Sequence, residues 1–300
     1  MTTAPLTIDE STPIAPAVDS IRPGSEPHAS RGLLHDVWVI ARRGLIHMKR
    51  QPEQLSDATI QPIMFVLLFA YVFGGAITVP GDDGAGDAQR YREFLMGGII
   101  AQTIVFSAFG VAYAIANDRK NQAIDRFRSM PIARGAVLGG QAVANLIKAL
   151  LPILLMSATG LLVGWRIRGS LVDTIGAYAL MVAFSFAMIW IGVFLGSIVS
   201  TPEGVTGIAF AVLFPITFIA STFVPLTSMP GPLRTVASWN PTTTLSDALR
   251  ELFGNPNAPV AADAPWSIAH PVAYTWIWAI GVVVVVAPLA VRAFSRSIQR

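Results

Sequence analysis

Side chains able to do chemistry are sparse in this chain, and the densest set lies in one stretch, Asn117 to Gly140, NDRKNQAIDRFRSMPIARGAVLGG. Arg119, Lys120, Arg126, Arg128 and Arg134 crowd into it, while Ala123, Ile124, Phe127 and Met130 recur at helical spacing and Pro131 ends the turn. The pattern predicts a short amphipathic helix whose chemistry is recognition, not bond-making. Cations around one aromatic either dock a partner or rest against anionic lipid headgroups, and the spacing suits both. No bond-making constellation stands elsewhere. The chain has no G-x-x-x-x-G-K-[ST] and no Gly-Lys pair, so it cannot cradle ATP phosphates by a P-loop; it also lacks H-E-x-x-H and G-x-S-x-G. The absence of cysteine excludes thiolate nucleophiles, disulfides and Cys-based metal sites. His28, His35, His47 and His270 lie outside the centres of the apolar stretches, which leaves no buried base for an intramembrane hydrolase. Neither a cofactor nor a metal is expected on this chain itself, and any energy-driven step must draw on a partner.

The elements that position this stretch are apolar. Only 13% of residues are charged and 53% are hydrophobic, a membrane-protein composition, and the formal charge of +3 is too small to suggest nucleic acid. A charge at the bilayer centre costs about 3 kcal/mol or more and a crossing helix needs about 20 residues, so spans show as charge-free runs. Six are expected, at about 58–78, 94–117, 137–165, 171–199, 205–224 and 268–291. An even number places both termini on one side. Lys and Arg concentrate near Arg31–Arg50, in Arg119–Arg134 and at Arg292, Arg296 and Arg300, against Arg90, Arg92, Arg166, Arg168, Arg234 and Arg250 on the opposite side. That bias predicts cytoplasmic termini in a multi-pass protein of the plasma (inner) membrane, in contact with its lipids.

Before the first span, residues 1–30 carry Pro5, Pro13, Pro16, Pro23 and Pro27 among polar residues and read as a disordered cytoplasmic tail without a cleavable signal peptide. Residues 33–50 place Leu34, Val37, Trp38, Ala41, Leu45 and Met48 on one face, as an interfacial helix does. Pairs of small residues four apart, Gly160 with Gly164 and Gly192 with Gly196, predict close helix packing, within the chain or across a dimer. Lys148 stands where the third span's apolar core begins and can snorkel to the interface. Between the fifth and sixth spans, Phe223 to Asn255 is too polar and Pro-interrupted to cross, yet Leu245, Ala248, Leu249, Leu252 and Phe253 form a helical stripe behind an Asn240-Pro241 start. Two short outer helices over 230–254 should re-enter or lie on the outer leaflet. Backbone at that depth must be covered by protein or face a cavity. Pro225, Met229, Asn240 and Pro241 are therefore candidates for an outer gate, or for a purely structural lid.

Two runs, Asp125 to Gly140 (DRFRSMPIARGAVLGG) and Phe223 to Arg250 (FVPLTSMPGPLRTVASWNPTTTLSDALR), resemble the signature regions of ABC-2 type permeases, in particular the daunorubicin/doxorubicin-resistance exporter branch. The resemblance covers the chain from about Leu33 onward. Branch members often carry a Trp after Met-Pro-Gly and a His-Gln-Pro where this chain has Pro232 and Trp239-Asn240-Pro241, which bears on substrate. The resemblance implies an all-α integral membrane half-transporter: one ABC-2 domain over 31–300 with six spans, a connecting helix at 33–50, a coupling helix at 118–130 and short outer helices. It implies export of a hydrophobic drug, antibiotic or lipid-like molecule. It also implies partners: a cytoplasmic ABC ATPase subunit that binds the ATP and Mg, and a second permease copy or sibling permease. Ile124, Asp125, Arg126, Phe127 and Arg128 would meet the ATPase. Gln102, Phe106 and Phe109 of the second span and Phe210, Phe214 and Phe218 of the fifth would line a path at the dimer axis, where a second subunit would cover backbone near Pro215 and Pro225. The alternatives are a secondary multidrug or lipid transporter and a non-enzymatic membrane scaffold.

Overall fold

In the computed structural model of the chain, every regular element among the described residues, 52–72, 88–120 and 134–297, is helical. They all belong to one compact unit, Leu33–Arg300. The tail over 1–30, the helix expected over 33–50, the end of the first expected span and Ile124, Asp125, Arg126, Phe127 and Arg128 lie outside the described residues. Four helices are long and apolar enough to cross a membrane: α2 (Ala88–Lys120), α3 (Arg134–Val163), α4 (Leu171–Ile198) and α10 (Pro271–Ser297). The first and fifth expected spans hold shorter helix. α1 is Pro52–Val72, with Ile60–Val72 its apolar part. The fifth begins as α5 (Pro202–Ile208), widens into a π-helical stretch at Ala209–Leu213 and ends as α6 (Phe214–Phe218). α7 (Gly231–Ser238), α8 (Pro241–Phe253) and α9 (Trp266–Ala269) follow, before α10. The helix expected to start at Asp118 does not start there, because Asp118–Lys120 are the last turn of α2.

Local chemistry sets the boundaries. Ser170 caps α4 by a reciprocal box, its hydroxyl accepting from the Asp173 N–H while the Asp173 carboxylate accepts from the Ser170 N–H. Thr201 caps α5 at the Gly204 N–H with Pro202 beside it. Asn240 caps α8 at the Thr242 N–H, and Gly254, at φ 65°, ends it with the Asn255 N–H donating back to the Arg250 carbonyl. Gly254 also lets the α3–α4 turn come close. The Arg168 and Gly169 N–H groups both donate to the Phe253 carbonyl, and a Cβ on Gly254 would press on Gly169.

The centre of the bundle is α2, α4 and α8, flanked by α10 and α1. The glycine pairs act within the chain. Gly192 and Gly196 bring α4 against the backbone of α2 at Ala108 and Ala112, so the two helices run parallel. Gly160 seats Met96 and Trp165, whereas Gly164, at φ 108°, is a turn residue after α3. Trp165 is wholly buried and donates to Asn255 at 2.7 Å, tying the end of α3 to the end of α8. At the opposite end of the bundle, Arg119 donates to the Ser197 and Val199 carbonyls and Lys120 pairs with Glu203 at 2.7 Å. Lys148 on α3 is partly buried, within electrostatic reach of Asp118 on α2.

Candidate functional site

Where the helical run of α6 stops, the chain frees backbone groups that water cannot reach, each costing about 1–3 kcal/mol if left unpaired. Residues 219–225 follow Phe218 without regular structure, and Ala220, Ser221, Thr222, Phe223 and Pro225 are buried. Side chains of α8 and α2 satisfy them. Asn240 uses its whole amide: Oδ1 caps α8, and Nδ2 donates to the Ile216 and Ile219 carbonyls at 2.6 and 2.7 Å. Thr243 Oγ1 accepts from the Ser221 N–H, and Tyr91 Oη donates to the Phe223 carbonyl. Gly98 has no side chain because the Thr222 carbonyl lies where a Cβ would be.

Arg250 completes the clamp. It is wholly buried, and its five N–H groups meet five acceptors: the Phe94 carbonyl (2.8 Å), Ser221 Oγ (3.1 Å), Asp247 Oδ1 (2.7 Å) and the Ser221 and Thr222 carbonyls (2.6 and 3.3 Å). Its guanidinium carbon lies 3.5 Å from the centre of the Phe94 ring. Burial pushes the Asp247 carboxyl up, and lowers the Arg250 guanidinium to about 10. The attraction between the two opposes both shifts, and the guanidinium stays charged at neutral pH. A saturated cation of this kind is a fastening, not a proton switch. The backbone near Pro225 is thus covered by the chain itself, which corrects the expectation that a second subunit is needed there. Of the four gate candidates, Asn240 is a central clamp and Pro225 is buried near Ser221 and Asp247. Met229 offers its carbonyl to Arg234, and Pro241 is the first residue of α8.

Next to the clamp lies a continuous set of aromatic rings. Phe210, Phe214 and Phe218 stack at 5.5 and 4.9 Å with interplanar angles of 28° and 17°. Phe218 reaches Phe223 at 5.6 Å, Phe223 stacks on Phe69 of α1 at 4.4 Å, and Phe106 of α2 meets Phe214 edge-on at 6.1 Å. Phe210 is 62% exposed and Phe218 43%. The second- and fifth-span phenylalanines are therefore brought together in part. Phe109 leans instead on Tyr113 and the Ala112–Val205 packing, and Gln102 is buried within α2. Phe65, Phe69 and Phe223, which sequence reasoning did not select, extend the set; their only signal is aromatic type in an apolar run. Arg250, Asp247 and Ser221 were missed for another reason. An i, i+3 charge pair on a helix with an apolar opposite face looks like a solvated edge until the fold buries both faces.

A small void beside the clamp holds about one water, ≈ 20 Å³, and is lined by Phe94, Ser221, Pro225, Asp247 and Asn257 among others.

Among the described residues every regular element is helical and four helices are long and apolar enough to cross a membrane, which makes this an integral membrane protein in class. The ABC-2 type transporter family model matches residues 35–253, and the chain belongs to that family. It is 30% identical over 258 residues to the daunorubicin resistance ABC transporter permease protein DrrB1 of Streptomyces coeruleorubidus, covering 84% of this chain and 87% of that protein. A probable doxorubicin resistance ABC transporter permease protein DrrC of Mycobacterium tuberculosis is 25% identical over 90% of this chain and 91% of its own length. A putative transport permease, ycf38, of Cyanophora paradoxa is 20% identical over 74% and 75%. The chain is a transmembrane permease of an ABC exporter.

Proposed function

We propose that this permease is half of an ATP-driven exporter, and that its substrate, a hydrophobic drug, antibiotic or lipid-like molecule, moves along the aromatic face of α5–α6 at the junction with a second permease. The observation that carries this is the file of phenylalanines along α5–α6, two of which are partly exposed on the surface of one chain. A path that one chain does not enclose is enclosed by two. Transporters named for daunorubicin and doxorubicin resistance among the relatives favour a flat, hydrophobic cargo.

The chain crosses the plasma membrane six times with both termini cytoplasmic. α1 and α5–α6 supply the two crossings whose described helices are short, and α7 and α8 lie at the outer side. Pro225, Met229, Asn240 and Pro241 then stand at the outer end of the path. Ile124, Asp125, Arg126, Phe127 and Arg128 dock a separate cytoplasmic ATPase, which holds ATP and Mg and whose closure moves the permease only if it contacts this stretch differently in its two states. A cysteine at Phe218, introduced without background because the chain has none, tests the arrangement. Cross-linking to its twin or to a sibling permease in native membranes is the expected result. Monomers alone, with transport intact, would sink the half-transporter assignment.

A further inference from the structure

Three phenylalanines spaced four apart do not stay in line on an ordinary helix. At 3.6 residues per turn, each step of four turns the side chain by about 40°, so Phe218 would sit about 80° round from Phe210. Yet Phe210, Phe214 and Phe218 form one stack, with successive rings near-parallel and about one ring-contact apart. The difference lies in the backbone between the first two. Over Ala209–Leu213 the hydrogen bonds reach one residue further than in an α-helix, and the Phe214 N–H donates to the Ala209 carbonyl, five residues back. A wider turn holds more residues, so the step from Phe210 to Phe214 falls short of a full turn where an α-helical step would overshoot it. The two steps, one short and one long, nearly cancel.

Pro215 explains why the turn widens there. It has no N–H to give the Ala211 carbonyl, and its ring crowds the preceding turn, so the usual ladder is interrupted immediately after the π-helical stretch. Nothing in packing opposes the wider turn, because Ala211, Val212 and Pro215 face outward. The ends are held: Val205 packs on Ala112 and Ala116 of α2 and Ala209 is buried at one end, and Asn240 grips the Ile216 and Ile219 carbonyls at the other.

We propose that the π-helical stretch Ala209–Leu213 is a register device that sets Phe210, Phe214 and Phe218 in one file, and that this file makes the permease selective for planar aromatic cargo. The inference rests on the substrate path proposed above. A flat ring system can lie against several near-parallel rings at once, whereas a globular cation of equal charge touches them one at a time.

Ethidium and tetraphenylphosphonium are suitable probes, since both are lipophilic monovalent cations and only the first is planar. Their binding is measured on the full chain, with its partner subunits, in membrane vesicles. Phe210→Ala and Phe218→Ala test the path itself: weaker ethidium binding supports it, and unchanged ethidium binding in both removes the path and this inference with it. Pro215→Ala tests the register alone: it restores the missing N–H and lets the turn close while keeping the four-residue spacing, which carries Phe218 about 80° round from Phe210. The expected result is ethidium binding weakened about tenfold or more, the loss of one or two ring contacts, with tetraphenylphosphonium held within about threefold. Equal loss of both probes, or no loss of ethidium while Phe210→Ala weakens it, overturns the register device and leaves the path standing. If Pro215→Ala does not accumulate, Pro215→Leu restores the same N–H and is read by the same pair. A selective loss of ethidium supports the device, and unchanged binding of both probes overturns it.

Discussion

The clamp around Arg250 and the aromatic face of α5–α6 lie next to each other and are built on opposite principles. In the clamp nearly every polar group is buried and used: one arginine meets five acceptors and one asparagine amide meets three partners. On the aromatic face the contacts are ring on ring, and two of the rings are substantially exposed. Directional bonds at fixed distances hold a single geometry, whereas stacked rings exchange one flat neighbour for another at little cost. The comparison teaches that a transporter's broken segment can be rigid in its backbone and permissive on its surface.

The largest effect should come from breaking the clamp. Arg250→Ala leaves Asp247 buried without its cation and frees the Ser221 and Thr222 carbonyls, so a loss of about 3–5 kcal/mol is expected. Thermal unfolding in detergent, read by near-ultraviolet dichroism, is the measurement; a melting temperature equal to that of the unaltered chain would remove the clamp from the account. Arg250→Lys should recover little of the loss, since an ammonium cannot reproduce the planar fork.

Asn240 separates cap from clamp and sharpens the comparison. Asn240→Ala should cost about 2–3 kcal/mol by losing both functions, while Asn240→Asp keeps the α8 cap but sets a buried carboxylate oxygen against the Ile216 and Ile219 carbonyls and should cost more. The two melting curves should therefore differ, Asp below Ala. The reverse order would mean that the carbonyl contacts contribute nothing.

On the other side, Phe210→Ala should leave stability within about 0.5 kcal/mol because the ring is mostly exposed. Its effect should fall on cargo instead, with a rise in the concentration of planar substrate needed for half-maximal efflux. A large stability loss with unchanged efflux would place Phe210 in the core and erase the contrast. The smallest effect is expected at the far end of the bundle. The Lys120–Glu203 pair is solvent-exposed, so Lys120→Ala should not move the melting temperature measurably at physiological salt. A clear drop would reveal packing at that end beyond the ion pair.

The amino-acid sequence by itself determined the class. Charge-free runs of bilayer length and the two signature runs point to an ABC-2 permease; the first are legible because helix length and the cost of buried charge depend only on local composition. Capping is equally local, so the Asn240-Pro241 start of α8 was legible in advance. Three features were decided only by the tertiary structure. Arg250 and Asp247 became a buried pair because α8 packs into α2, α4 and α10, and burial is a property of neighbours far apart in the chain. Gly192 and Gly196 found their partner in α2 of the same chain, a choice that spacing leaves open. The fifth segment broke at Pro215 and widened before it, where hydropathy shows one apolar run, since hydropathy counts side chains and the break is made by a missing backbone donor whose freed neighbours α8 was in place to satisfy.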